Sequence, residues 1–141
     1  MSAPQVVMSF DFGERRIGVA CGDTLTRTAS PVSVVRVAPS GPWTQIEKLL
    51  KIYLPNLAIV GLPYNADGSE SVSSVAARRF AAQIEQRFSL EVVMVDERYS
   101  SIDAQSRLKS ARESGLRRRR IAKGDVDAAA ACVILERWFT E

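Results

Sequence analysis

The amino-acid sequence predicts one α/β domain built on a mixed five-stranded sheet, in which three antiparallel strands are followed by parallel strands and helices flank the sheet. Two observations lead to this class. Up to Pro42 the chain holds short β-forming stretches between turn residues, whereas from Trp43 onwards helical and extended patterns alternate. A chain of 141 residues has the length of a single domain. We therefore expect residues 1–141 to form one domain.

The chain opens with a predicted hairpin. Residues 5–10 are short and rich in β-formers, Gly13 permits a tight turn, and residues 16–21 form a second strand. Asp11 stands where the first of these strands ends. Residues 28–37 are predicted as a third antiparallel strand, and Pro31 restricts the start of that strand to a sheet edge or a bulge.

The later helices and strands are predicted from changes in the spacing of apolar residues along the chain. A helix begins at Trp43 and stops before Pro55, and the apolar run 57–60 predicts a strand covered on both faces. Further predictions are a loop at 61–69, a helix at 71–88, a strand at 91–95, a helix at 101–110, a basic mobile loop at 111–123 and a helix at 125–139. The apolar stripe predicted for the helix at 71–88 consists of Val72, Val75, Ala76, Phe80 and Ile84. Four alanines, residues 128–131, would let the last helix approach the sheet closely.

Composition excludes several kinds of chemistry. The chain has no histidine, which removes Ser-His and Cys-His triads, histidine-ligated zinc and histidine general bases. Its 19 basic and 16 acidic residues leave a net charge of only +3, so bulk charge says little about partners. No apolar run approaches the roughly 20 residues of a membrane span, and no secretory signal is recognisable. Cys21 and Cys132 fit a reducing, cytoplasmic setting better than a disulfide framework.

Carboxylates mark three predicted element ends. Asp11 ends the first strand, Asp96 and Glu97 end the last strand, and Asp127 lies in the first turn of the last helix. If these groups meet at one rim of the sheet, their repulsion is relieved by Mg²⁺ or Mn²⁺, which prefer oxygen ligands. Two such ions about 3.5–4 Å apart can activate water and stabilise the leaving oxygen of a phosphodiester. Each acid also has a simpler interpretation: a turn residue, a surface ion-pair cluster or a helix cap.

Two further segments bear on the substrate. The loop at 61–69 follows a buried strand and precedes a helix, where open α/β sheets place ligands and where backbone N–H groups suit phosphate. A rigid connecting turn is the alternative. The densest basic block of the chain comprises Arg112, Arg117, Arg118, Arg119, Arg120 and Lys123. A basic loop ahead of an acidic helix start could bind a phosphate backbone, although many charge runs are simply solvated faces.

The order of these motifs resembles a known family. The blocks are residues 11–13 with 16–20, residues 60–63 with Asn65 and 67–69, residues 96–98 with Ser100 and Ser101, and residues 123–124 with Asp127, Ala128, Ala129, Ile134 and Leu135. Together they resemble the YqgF/RuvX family of bacterial RNase H-like proteins. The resemblance implies an RNase H-like fold with a metal-dependent nuclease site. It also implies two roles: processing the 5′ end of precursor 16S ribosomal RNA, and resolving Holliday junctions.

Carried over by position, the resemblance implies that Asp11, Glu97 and Asp127 are the catalytic, metal-binding trio, with Asp11 bridging the ions. Asn65, Arg98 and Lys123 would contact phosphate or support the ligands. Independently of the resemblance, the basic block predicts that Arg118 and Arg119 contact nucleic acid. Many RNase H-like nucleases take their second acid from the fourth strand. Residues 60–63 hold no acid here, so Glu97 of the fifth strand must substitute. Asp96 is an alternative for that role, and Asp125 is either a fourth ligand or a solvated cap.

The sequence thus predicts a cytoplasmic nuclease, dependent on two Mg²⁺ or Mn²⁺ ions, that acts on structured precursor ribosomal RNA as a monomer or homodimer. A junction resolvase with the same trio, acting on branched DNA as a dimer, is the nearest alternative. A non-catalytic RNA-binding or ribosome-assembly factor is another. An actin-like ATPase is disfavoured because 141 residues have room for only one such lobe.

Overall fold

The computed structural model describes residues 3–63, 71–96 and 123–140, with side chains of the last segment described from Ala128 onwards. The predicted helix at 101–110, residues 111–122 of the predicted basic loop and residues 64–69 of the predicted loop at 61–69 lie outside these ranges. The strands are β1 (Val6–Asp11), β2 (Arg16–Asp23), β3 (Ala29–Arg36), β4 (Leu57–Leu62) and β5 (Glu91–Asp96). The helices in the described ranges are α1 (Trp43–Tyr53), α2 (Val72–Phe88) and α3 (Lys123–Thr140).

The five strands form one sheet in the order β3-β2-β1-β4-β5. β1 pairs antiparallel with β2, and β2 pairs antiparallel with β3. β4 pairs in parallel with both β1 and β5. The predicted mixed sheet is therefore confirmed. Because β1 is central and parallel to β4 and β5, the carboxyl ends of all three strands lie along the same edge of the sheet.

Strand β3 is the edge that Pro31 predicts. The register shifts between Val19, which pairs with Ser33, and Ala20, which pairs with Pro31. Proline has no N–H to give to a ladder, so it is tolerated at an edge strand or a bulge, and here it has both. Both alternatives for this residue are thus realised at once.

The two faces of the sheet bury different helices. Side chains alternate along β1, so that Met8 and Phe10 pack under α1 and α2 while Val7 packs under α3. On the α1 and α2 side the core includes Ile17, Val19, Val35, Val60, Phe80 and Ile84. On the α3 side it includes Ile59, Val95, Ile134, Leu135 and Phe139. Every residue of β4 is buried, as the continuous apolar run predicts.

The predicted stripe of α2 is partly wrong. Val72 and Val75 are 82% and 44% exposed, and the buried face instead holds Ser74, Ala77 and Ala81 beside Phe80 and Ile84. The Ser71 and Ser74 side chains form a capping box, and both hydroxyls reach the carbonyl of Pro63. The cap ties the first turn of α2 to the residue that follows β4, and Ser74 lies on the buried face of the helix.

The last helix starts earlier than predicted. α3 begins at Lys123, so Asp127 is its fifth residue and not a first-turn residue or cap. Lys123, which is predicted to end the basic loop, belongs to the helix. Ala130 and Ala131 are 1% and 0% exposed, which confirms the close approach expected of the alanine run. No helix among the described residues is both long and apolar enough to cross a membrane.

Candidate metal-binding site at the carboxyl end of the sheet

Asp11 is the last residue of β1 and is half-buried. Its neighbours Phe10 and Phe12 both contact the ring of Phe80, with centroid distances of 5.8 and 4.8 Å. Strand alternation therefore places Asp11 on the opposite face, which α3 covers. The two phenylalanines anchor the end of β1 on the α1 and α2 side of the sheet, and the Asp11 carboxylate lies on the α3 side.

The turn after Asp11 depends on Gly13. A Cβ atom built at this position would lie 2.6 Å from the backbone oxygen of Arg16, closer than real side chains come. A side chain here would push the two halves of the hairpin apart. The turn is also tied to the end of β3, because the Val37 N–H donates a 2.9 Å hydrogen bond to the carbonyl of Arg15. The position of Asp11 is thus set by a tight and well-bonded turn.

The residues beside Asp11 in the sheet carry no side chains. Asp11 pairs with Gly18 of β2. On the other side, Phe10 pairs with Val60, so the next residue of β4, Gly61, lies level with Asp11. A bulkier residue at either position would project a Cβ next to the carboxylate. Two flanking glycines leave space there for a hydrated cation, and a carboxylate oxygen is the ligand type that Mg²⁺ and Mn²⁺ prefer.

Helix α3 runs over this face in a fixed register. The Ser9 hydroxyl donates a 2.7 Å hydrogen bond to the carbonyl of Ala131, and a Cβ built at Gly22, which pairs with Val7, would lie 3.2 Å from the Leu135 side chain. From Val7 to Ser9 the strand advances by two residues, about 6.8 Å, while the helix positions level with them change from Leu135 to Ala131, one turn of about 5.4 Å. One more such step leads from Ser9 to Asp11 on the strand and from Ala131 to position 127 on the helix.

The end of β5 is tied to the same helix. Asp96, its last residue, pairs with Leu62 of β4. The Arg137 guanidinium donates a 2.9 Å hydrogen bond from Nη1 to the Asp96 carbonyl oxygen. Two strand spacings of about 4.8 Å each separate β5 from β1 across the sheet. The described chain therefore ends β5 at the rim where Asp11 stands, one residue before Glu97.

The structure describes some of the predicted site residues with their side chains, some as backbone positions only, and others not at all. Asp11 is placed with its side chain, and Lys123, Asp125 and Asp127 are placed as backbone positions of α3. Glu97, Asn65, Arg98, Arg118 and Arg119 lie outside the described residues. Within the part of the chain that is described with side chains, no three acidic or thiol groups form a cluster able to hold a metal ion.

Two residues of this region escape sequence reasoning. Ser9 is a polar residue inside an apolar strand, and it is fully buried. That placement is itself a signal, because a buried hydroxyl needs a partner. Arg137 gives no such signal, because an arginine in the last turn of a helix is ordinary. Its contact with Asp96 depends on the tertiary fold alone.

Comparison with known sequences gives a consistent result. A family model described as RuvX, Holliday junction resolvase, matches residues 5–141. A protein of Yersinia pestis (strain Pestoides F) is 44% identical over 140 residues, which are 99% of this chain and 97% of the relative. A protein of Yersinia pseudotuberculosis serotype IB (strain PB1/+) is 43% identical over the same shares. Both carry the name "Putative pre-16S rRNA nuclease".

Solved structures resemble the chain in fold. Thermus thermophilus RuvC in complex with a Holliday junction substrate matches with a TM-score of 0.57 and 16% identity, over 96% of this chain and 93% of RuvC. The yeast mitochondrial Holliday junction resolvase Ydc2 matches with a TM-score of 0.52 and 10% identity, over 94% of this chain and 77% of Ydc2. The predicted RNase H-like fold class is thereby confirmed.

Proposed function

This chain belongs to the RuvX family, and we propose that it is a divalent-metal-dependent nuclease whose substrate is precursor 16S ribosomal RNA. The observation that carries the proposal is the placement of Asp11. This carboxylate ends the central strand on the face covered by α3 and is flanked in the sheet by Gly18 and Gly61. It is the arrangement expected of an acid that holds a cation at the rim of an α/β sheet.

The ligand set follows from this placement and from the family resemblance. Asp11 would bridge the ions, Glu97 would bind from the end of β5, and Asp127 would bind from α3 one turn before the helix meets Ser9. The chain has no histidine, so oxygen ligands must suffice. When bound, Mg²⁺ or Mn²⁺ supplies an activated water and stabilises charge on the leaving oxygen. The protein contributes the positions of the three carboxylates and the support behind them.

The choice of RNA rests on the relatives. Proteins that cover nearly all of this chain at 44% identity bear a name that refers to pre-16S rRNA. The RuvX model's description favours a second candidate, resolution of Holliday junctions. That reaction needs two sites on opposed strands and therefore a dimer, whereas a monomer suffices for cutting RNA. Ribosomal RNA maturation would place the protein in the cytoplasm.

Cleavage by purified protein tests the proposal. A transcript of the 16S rRNA 5′ end with its precursor leader and a synthetic four-way DNA junction are each incubated with Mg²⁺, with Mn²⁺ or with EDTA. We expect metal-dependent cutting of the RNA, loss of cutting in EDTA, and loss of cutting by Asp11→Asn. Asp23→Asn is the matched control, because it makes the same chemical change at the other end of the β1–β2 ladder, where Asp23 pairs with Val6.

The outcomes separate the alternatives. Cutting of the junction but not of the transcript identifies a resolvase. Tight RNA binding without cutting in either metal identifies a non-catalytic binding factor. Full activity of Asp11→Asn, in a preparation free of contaminating nuclease, contradicts the site itself.

A further inference from the structure

Arg16 and Arg36 lie directly opposite each other at the end of the β2–β3 ladder. Cross-strand partners in such a ladder have Cβ atoms about 4.5–5.5 Å apart, and like charges placed there repel. Arg36 is exposed on the edge strand, and Arg16 is half-buried and also takes part in an interaction within the chain. The pair concentrates positive charge at one corner of the sheet.

This corner belongs to the same face and the same end of the sheet as Asp11. Ile17 and Val35 are buried under α1 and α2, so the alternating neighbours Arg16 and Arg36 face the α3 side. Asp11 pairs with Gly18, two residues further along β2. The offset from Asp11 to Arg16 is therefore one strand spacing of about 4.8 Å across the sheet and about 7 Å along it.

The backbone under the arginine pair is held in place. The Val37 N–H donates a 2.9 Å hydrogen bond to the Arg15 carbonyl, and Gln45 Nε2 donates a 3.1 Å hydrogen bond to the Arg36 carbonyl. Glu14, the acid in the adjoining turn, lines a cleft with Trp43 on the opposite face. The two guanidinium groups thus start from fixed backbone positions, and the nearest acid of the turn is directed elsewhere.

We propose that Arg16 and Arg36 bind a backbone phosphate of the RNA next to the phosphodiester held at Asp11. The proposal rests on the nuclease function proposed above and adds a binding surface to it. A guanidinium presents a planar fork of donors that matches phosphate oxygens, so an arginine pair at this distance positions the strand as well as attracting it. The arginines bind RNA, and they take no part in the bond-breaking chemistry.

Binding measured without cleavage tests this surface. The probe is a fluorescein-labelled RNA stem with a single-stranded 5′ extension, titrated in EDTA at NaCl concentrations from about 50 to about 200 mM. Each arginine–phosphate contact contributes about 0.7–0.9 to the slope of log K against log salt concentration. We therefore expect Arg36→Gln to reduce the slope by nearly one, and Arg16→Gln/Arg36→Gln to reduce it by nearly two.

Two matched variants sharpen the test. Arg27→Gln removes the same charge from the turn at the other end of the β2–β3 ladder, and we expect it to keep the wild-type slope. Arg36→Lys keeps the charge but loses the fork, so we expect the wild-type slope with a weaker affinity. Circular dichroism and Tm confirm that each variant is folded, which matters most for Arg16.

A wild-type slope in folded Arg36→Gln overturns the proposal, as does an equal loss of slope in Arg27→Gln. Loss of slope on four-way junction DNA but not on the RNA overturns the choice of RNA. The test is independent of the nuclease assignment. A protein that binds with the predicted slopes but never cleaves refutes only the nuclease assignment, whereas one that cleaves with unchanged slopes refutes only the arginine surface.

Discussion

The hydroxyl of Ser9 donates a 2.7 Å hydrogen bond to the backbone carbonyl of Ala131, and the pair is buried. It joins the central strand to the last helix across 122 residues of sequence. Ser9 lies two residues before Asp11, and Ala131 lies one helical turn after Asp127. The bond therefore sets how far along β1 the helix sits, and with it the distance between two of the proposed metal ligands.

Replacing Ser9 by alanine should affect activity more than stability. Loss of one net hydrogen bond costs about 1 kcal/mol, measurable by urea denaturation. Because the bond sets the register of α3, we expect metal-dependent cleavage to fall by more than the folded fraction does. Ser30→Ala on the exposed part of β3 is the control, with a change within about 0.5 kcal/mol. Wild-type cleavage by a measurably destabilised Ser9→Ala would mean that the register is held by other contacts.

Replacing Gly13 by alanine should open the hairpin beneath Asp11. The added Cβ would meet the Arg16 carbonyl oxygen at 2.6 Å, and neither atom can rotate away, because the oxygen is a backbone atom and the backbone fixes the position of a Cβ. We expect a loss of about 1–3 kcal/mol, typical of overpacking, together with reduced cleavage. Glu14→Ala, one residue along the same exposed turn, should stay within about 0.5 kcal/mol. Equal stability of the two variants would show that the turn relaxes freely.

Sequence reasoning succeeds here where the determinants are local. The hairpin follows from β-formers on either side of Gly13, and the edge position of β3 follows from Pro31, because proline lacks an N–H. The strand at β4 follows from a short, continuous apolar run, because a strand covered on both faces is apolar at nearly every position. Asp11 can be placed at a strand end because β-formers precede it and the turn residue Gly13 follows it.

It fails where contacts between distant segments decide. The predicted stripe of α2 includes Val72 and Val75, yet both are exposed, and Ser74, bonded to the carbonyl of Pro63, lies on the buried face instead. The start of α3 is missed by two residues, which moves Asp127 from the first turn to the second. The bond from Ser9 and the contact from Arg137 to Asp96 have no local cause. They are the features that align α3 with β1 and β5.

Removing the ring of Phe80 should loosen the support under Asp11. Phe10, Phe12 and Trp43 all contact this ring, at centroid distances of 5.8, 4.8 and 5.6 Å. Phe80 is 3% exposed, so Phe80→Ala should cost about 3–5 kcal/mol in chemical denaturation. Val72→Ala, on the same helix at 82% exposure, should change stability by less than about 0.5 kcal/mol.

Phe80→Leu distinguishes the loss of the aromatic contact with Phe12 from a general loss of stability. Leucine keeps a buried apolar side chain, so we expect most of the stability to return while Phe12 loses its aromatic partner. If Phe12 must be held for Asp11 to be placed, Phe80→Leu will remain impaired in cleavage at a temperature where it is fully folded. Wild-type cleavage by this variant would show that the end of β1 is fixed without the aromatic cluster.

Asp23 should make the stability of the β2–β3 turn depend on pH. Its carboxylate accepts hydrogen bonds from the backbone N–H groups of Thr26 and Leu25, at 2.8 and 2.9 Å, and from the Thr26 hydroxyl. The backbone bond from Thr26 is the main cause that lowers the pKa of Asp23 below its ordinary value. In the unfolded chain the pKa of this group is about 3.9.

The sign follows from linkage. A pKa lowered by folding means that the ionised carboxylate stabilises the native state. This contribution is complete at pH above the unfolded pKa. It disappears as the pH falls through the folded pKa. Asp23→Asn keeps the acceptor oxygen but not the charge. We therefore expect wild type to exceed Asp23→Asn in Tm at about pH 7, with the gap closing as the pH falls below the unfolded pKa of about 3.9. Solvent screening keeps the gap small, and added salt should shrink it. A gap that widens on acidification would show that the charge opposes the turn.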